Sequence, residues 1–185
     1  IRPLLVPIIV AQITAHPETA GQILPNINIE LQPLIVREIP VDILIQIVQI
    51  APQLAPIIIN NATQEVRNQI MPVVVAQITA HPETAGQILP NINPELQPLI
   101  VQAIPEVDTL IQIIQLAPQV TAIIVNNVNA DIRSQIITAV ADLMNNNPTV
   151  AYQIFADIRA DIQEELAPHI TNVDALINII QNIIQ

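Results

Sequence analysis

The sequence predicts an all-α protein. It reads as about 13 short helices in three sequence repeats, curved into a closed, capsule-like single domain over 1–185, with an open α-solenoid as the alternative. Three observations carry this. One phrase returns three times, as Val41–Gln49, Val107–Gln115 and Val173–Gln181, with polar residues at i, i+4, i+7 and i+11. They are Asp42/Gln46/Gln49/Gln53, Asp108/Gln112/Gln115/Gln119 and Asp174/Asn178/Gln181/Gln185, and that spacing draws one thin polar line along an α-helix. Second, Val10–Val36 and Val75–Val101 match at 26 of 27 positions at an offset of 65 and differ only at Ile29 against Pro94. Third, helix breakers fall every 11 to 18 residues, with helical spacing between them and no convincing strand.

A diverged third copy follows at an offset of 66. Val66-Arg67, Gln69-Ile70, Pro82 and Gln87-Ile88 return as Ile132-Arg133, Gln135-Ile136, Pro148 and Gln153-Ile154. The repeat units are therefore approximately 1–62, 63–128 and 129–185. Within a unit, Thr63 or Asn129 caps a long helix, with Glu65 or Asp131 at the positive end of its dipole. His16-Pro17, His81-Pro82 and Asn147-Pro148 open the next helix, with Pro where its missing N–H costs nothing. Asn28 and Asn93 cap another, and the Ile29/Pro94 exchange fits a first-turn slot. Pro40/Pro105 and Pro52/Pro118 open two more. Helices about 10 residues long are marginal alone and must pack on neighbours. Frequent stops keep the chain turning, which suits a curved shell, although a solenoid satisfies the same pattern.

The chain is 51% hydrophobic with one Tyr, one Phe and no Trp, so its apolar mass is aliphatic. All five cations are Arg, and the net charge of −11 argues against nucleic acid or an anionic membrane as partner. Zero Cys removes disulfides and thiolate chemistry. Two uncharged stretches, Ile43–Gln64 and Thr109–Ala130, are broken by Pro, Gln and Asn, so neither reads as a transmembrane segment. Ile1 as first residue, with no initiator Met, gives the expectation of a processed, secreted chain, and Asn61-Ala62-Thr63 is one acceptor sequon.

Signals for an enzyme are absent. His16 and His81 occupy one repeat position, filled by Asn147 in the third unit, and read as cap or turn residues, as does His169. Asp157, Asp161, Glu164 and Glu165 share a helical region with Arg159 and read as a solvated face rather than an acid/base pair. No metal or covalent cofactor is expected. Gly21 and Gly86 stand mid-helix, a position that usually marks a close helix–helix approach. In the third unit Tyr152 replaces that glycine, and Phe155 lies three residues on, facing the same way. Core filling is the simpler account of the two rings, and the wall of a ligand chamber is the other.

At the repeated phrase, through Ile39-Pro40-Val41-Asp42, Ile104-Pro105-Glu106-Val107-Asp108 and the closing run from Asn172-Val173-Asp174, the chain resembles the insect allergen-related repeat family. That family includes the major cockroach gut allergen, gut microvillar proteins and nitrile-specifier proteins. Its members carry Lys and several aromatics, which this chain lacks, and a longer repeat. The resemblance implies an all-helical capsule around an apolar cavity for fatty acid or phospholipid.

The residues themselves lead to a related expectation. Helices apolar on most of their circumference need cover on several sides. An internal cavity holding lipid, fatty acid or an apolar pigment is one cover. Its aliphatic lining is expected from Ile43, Ile47, Ile50, Leu110, Ile113, Ile114, Ile177 and Ile180, with Tyr152 and Phe155 as wall or gate. Other copies of the chain are the alternative cover, which makes a homo-oligomeric, structural or surfactant protein. Near-identical repeats in an Ile/Gln/Asn/Pro palette without Lys are also met in computed designs, whose only function is to fold.

Overall fold

The computed structural model of the chain describes residues 2–183, with side chains over 4–183. The described residues form fourteen α-helices joined by short 3-10 turns, and no strand. Two compact units divide the chain, Ile1–Leu96 and Gln97–Gln185. The division falls inside the second sequence repeat, after the turn that contains Pro94.

The first unit holds α1 (Arg2–Ala15), α2 (Ala20–Ile23), α3 (Gln32–Glu38), α4 (Val41–Ile50), α5 (Ala55–Asn61), α6 (Gln64–Ala80) and α7 (Ala85–Ile88). Here α1 packs on α3, α3 on α5, and both α4 and α5 on α6. The second unit holds α8 (Gln97–Val101), α9 (Val107–Leu116), α10 (Thr121–Asn127), α11 (Ala130–Asn146), α12 (Pro148–Asp157), α13 (Ala160–Leu166) and α14 (Val173–Ile183). In it α9 and α10 pack on α11, α11 on α12 and α13, and α12 on α14. The pairs α4–α6 and α9–α11 are the same pair at successive repeats. Each joins a copy of the repeated phrase to the long helix that follows it. The cores are almost wholly aliphatic, with Ile13, Leu44, Ile58, Ile70 and Ile78 fully buried in the first unit. Leu110, Ile113, Ile124, Ile136 and Val140 are fully buried in the second.

The two long helices are capped as their sequences require. The Thr63 Oγ1 accepts from the Val66 N–H at 3.4 Å and the Asn129 Oδ1 from the Ile132 N–H at 2.9 Å. As expected, Pro17 and Pro82 open the 3-10 turns that lead into α2 and α7, and Pro148 opens α12, but other expected caps are not made. His16 and His81 make no side-chain cap, and each instead sets its Nδ1 3.3 or 3.5 Å from the carboxylate of Glu18 or Glu83. The Asn147 amide reaches back to the Leu143 carbonyl at 3.1 Å and so closes the helix before it. Asn28 accepts from the Glu30 N–H at 2.9 Å, an Asx turn ahead of α3 rather than its cap. Pro40 precedes α4, and Pro105 lies outside α9, whose N-cap is Glu106. Pro52 and Pro118 do open turns, the 3-10 turns Pro52–Leu54 and Pro118–Val120. A Pro fixes φ without needing a donor, which suits a bend as well as a first helical turn.

Gly21 differs too. It is exposed in α2, and a Cβ built there meets nothing within 4 Å, so no close helix approach requires it.

The asparagines supply what the breakers do not. The Asn60 side chain donates to the Asn91 carbonyl at 2.8 Å and accepts from the Asn93 N–H at 2.9 Å. One repeat later, Asn126 donates to the Asp157 carbonyl at 2.8 Å and accepts from the Arg159 N–H at 3.0 Å. Asn145 does the same for the His169 carbonyl, at 3.1 Å, and the Thr171 N–H, at 2.9 Å. Between each clamped pair lies one buried isoleucine in extended conformation: Ile92, Ile158 or Ile170. An extended link between helices leaves a carbonyl and an N–H without helical partners, and one carboxamide satisfies both. Gln32 and Gln163 make a lesser version of this, donating to the Leu24 and Phe155 carbonyls at 3.1 and 2.7 Å.

Two outcomes follow. Asn126→Ala removes both bonds around Ile158, and because the freed groups are exposed to water, stability falls by about 0.5–1.5 kcal/mol in denaturant titration. Gly21→Ala, at a helical position with free space, raises stability by about 0.4–1 kcal/mol, read as an upward shift in Tm of a few degrees.

Candidate functional site

Helices α4, α9 and α14 carry the repeated phrase, and their polar lines lie outward as the spacing predicts. Asp42, Gln46, Gln49 and Gln53 are exposed, as are Asp108, Gln112, Gln115 and Gln119. In α14, Asp174 and Gln181 are exposed and Asn178 is half-buried, its Oδ1 accepting from the Tyr152 N–H at 3.1 Å. Gln185, the last member of the third line, lies outside the described residues.

On the apolar side the three helices diverge. Position by position, Leu44, Leu110 and Leu176 correspond, as do Val48, Ile114 and Ile180. Leu44, Leu110, Val48 and Ile114 are all fully buried, beside α6 in the first unit and α11 in the second. Leu176 is 36% exposed and Ile180 55%. Ile183, at the position of Ala51 and Ala117, is 58% exposed, and Val173 and Ile177 are exposed as well. What α14 keeps buried is Ala175 and Ile179, where α12 packs. The arc of α14 that corresponds to the buried arcs of α4 and α9 is thus exposed among the described residues.

A matching arc opens on α1. Leu5, Ile70 and Ile136 occupy one repeat position in α1, α6 and α11, and Ile9, Val74 and Val140 another. Ile70 and Ile136 are fully buried, but Leu5 is 43% exposed. Val74 and Val140 are fully buried, while Ile9 is half-buried, and Leu4 and Ile8 beside these positions are exposed. These positions lie on the arc that α6 and α11 bury, and α6 and α11 pack on α4 and α9.

The ten residues expected to line a chamber fall into three groups. Ile47, Leu110, Ile113 and Ile114 are fully buried, Ile43, Tyr152 and Phe155 are half-buried, and Ile50, Ile177 and Ile180 are exposed. Ile43, Ile47 and Ile50 belong to the first unit and the other seven to the second. Three open clefts are formed by the described residues. One of about 270 Å³ lies among Pro118, Ala122, Val150, Ile154 and Asp157. Another, of about 550 Å³, lies among Ile29, Ile57, Asn60 and Asn93. Tyr152 lines a third of about 460 Å³ with Asn178 and Asn182.

The charged groups sit at the surface. His16, His81 and His169 are exposed. Asp157, Asp161 and Glu164 form the expected solvated face, where Arg159 grips Asp161 at 3.2 Å. That hydrogen-bonded guanidinium holds the Asp161 carboxyl below the usual carboxylate range. Glu165 turns aside, half-buried, to meet the largely buried Arg133 at 3.1 Å. Among the described residues no group of three His, Asp or Glu converges on a metal position. Also among them, no single helix is long and apolar enough to cross a membrane. The Asn61 Nδ2, the sequon's acceptor atom, donates to the Ile57 carbonyl at 2.8 Å.

Sequence reasoning missed the exposed arcs of α1 and α14, because periodicity shows which face of a helix is apolar but not what lies against it. Neither a family model, nor a curated protein, nor a solved structure matches the chain.

Burial separates core from surface in this set. Ile113→Ala is expected to cost about 2–5 kcal/mol, as truncation in a packed interior does, and Ile180→Ala no more than about 0.5 kcal/mol. Paired denaturant titrations of the two variants check this.

Proposed function

We propose that this chain is a non-catalytic, self-associating helical repeat protein whose apolar helix faces are covered by other copies. The reading takes the open-solenoid alternative for its repeats over the closed capsule. One observation carries it: positions that are fully buried in α4 and α9 are apolar and exposed in α14. Contiguous exposed aliphatic surface of this kind marks an association site. The net charge of −11 opposes association at neutral pH, and salt or a pH nearer the isoelectric point of about 4.3 weakens that repulsion.

A second reading is carriage of a hydrophobic ligand, which the resemblance to allergen-related repeats implies. It is favoured by Ile177 and Ile180, two of the expected lining residues, which lie on the open arc of α14. An acyl chain laid there would contribute about 0.8 kcal/mol for each methylene buried.

Native mass spectrometry of the purified protein across a concentration series separates the two. Self-association gives multiples of the chain mass that grow with concentration and with salt, without added lipid. A constant single-chain mass carrying a lipid-sized adduct would overturn it in favour of the carrier.

A further inference from the structure

The two open arcs match each other, and this goes a step beyond association in general. α4 packs on α6 and α9 on α11, and Leu44 and Val48, Ile70 and Val74, Leu110 and Ile114, and Ile136 and Val140 are fully buried in these helices. A repeated-phrase helix offers Leu and an Ile or Val one turn apart, and the following long helix offers Ile and Val in return. At α14 the first half of this pair is present and uncovered, as Leu176 and Ile180. At α1 the second half is present and only partly covered, as exposed Leu5 and half-buried Ile9.

We infer that the chain associates head to tail: α1 of one copy packs on α14 of the next as α6 packs on α4 and α11 on α9. This rests on the self-association reading above and specifies its geometry. The occupant of α14 is a second copy of this chain, because the chain's own α1 carries the residue types that its own internal interfaces place there. The contact joins two different surfaces, so a pair of copies keeps one free α1 and one free α14. Such heterologous contacts close into a ring where the rotation permits, and otherwise run on as a filament. Self-complementary pairing of two α14 faces would stop at a dimer instead.

Charge substitutions at the exposed positions test the geometry without touching the core. Leu5→Glu blocks α1 and leaves α14 intact, and Ile180→Glu does the reverse. Ile8→Glu and Ile183→Glu, at positions 64% and 58% exposed, repeat the two arms if either first variant folds poorly by circular dichroism. The unsubstituted chain is expected to give a ladder of masses in native mass spectrometry or sedimentation. Each variant alone is expected to stay at the single-chain mass. Mixed in equal amounts, with one isotope-labelled, they should form a 1:1 heterodimer of twice that mass and go no further. A Leu5→Glu chain that still dimerises alone, or a mixture that stays at single-chain mass while the unsubstituted chain associates, overturns the head-to-tail geometry and leaves self-association standing. An unsubstituted chain that stays at single-chain mass at every concentration overturns both.

Discussion

Lateral cover is the constraint on which this molecule depends. Apart from the long helices α1, α6 and α11, its helices run from 4 to 11 residues, too short to persist by backbone hydrogen bonding alone. They are also apolar around most of their circumference, so each needs protein on more than one side. The repeat answers both needs with one device, in which the long helix that opens a repeat lies against the repeated-phrase helix before it. Leu44 and Val48 on α4, and Leu110 and Ile114 on α9, are fully buried as a result.

Much of the polar chemistry among the described residues serves the backbone. Carboxamides of Asn60, Asn126 and Asn145 each bridge a carbonyl and an N–H across an extended isoleucine link. They fix where one short helix ends relative to another, a matter that aliphatic packing alone decides loosely, since Ile, Leu and Val interdigitate in more than one register. Asn and Gln do this without charge, so they can sit half-buried where a carboxylate could not. The formal charges, meanwhile, stay at the surface, with Arg133–Glu165 the more buried of the ion pairs.

Helix type, repeat register and the outward polar lines were legible in the sequence, because each depends on local periodicity. Asp42, Gln46 and Gln49 announce their face by spacing alone, and Thr63 and Asn129 announce their caps by position. The clamps were not legible in this way. Asn60 and Asn61 read simply as breakers, and nothing local says that Asn60 reaches 31 residues on to the Asn91 carbonyl. Gly21 misled because a helical glycine signals either close approach or mere tolerance, and only the surrounding space decides between them. The lining set illustrates a further limit. A wide apolar arc shows that Ile113 and Ile180 both need cover, but whether the cover is present depends on a neighbour elsewhere in the chain.

The abundance of proline has a consequence in the unfolded chain. Seventeen prolines and only two glycines make the denatured backbone stiff, and no described residue has a left-handed backbone. Each proline removes conformations before folding begins, so less entropy is lost when the chain folds around it. A chain that loses less entropy on folding needs less buried area per residue to remain folded. Aliphatic side chains such as Ile180 can therefore stay at the surface without leaving the fold short of core. Rigidity written into the disordered state in this way frees apolar surface in the ordered one.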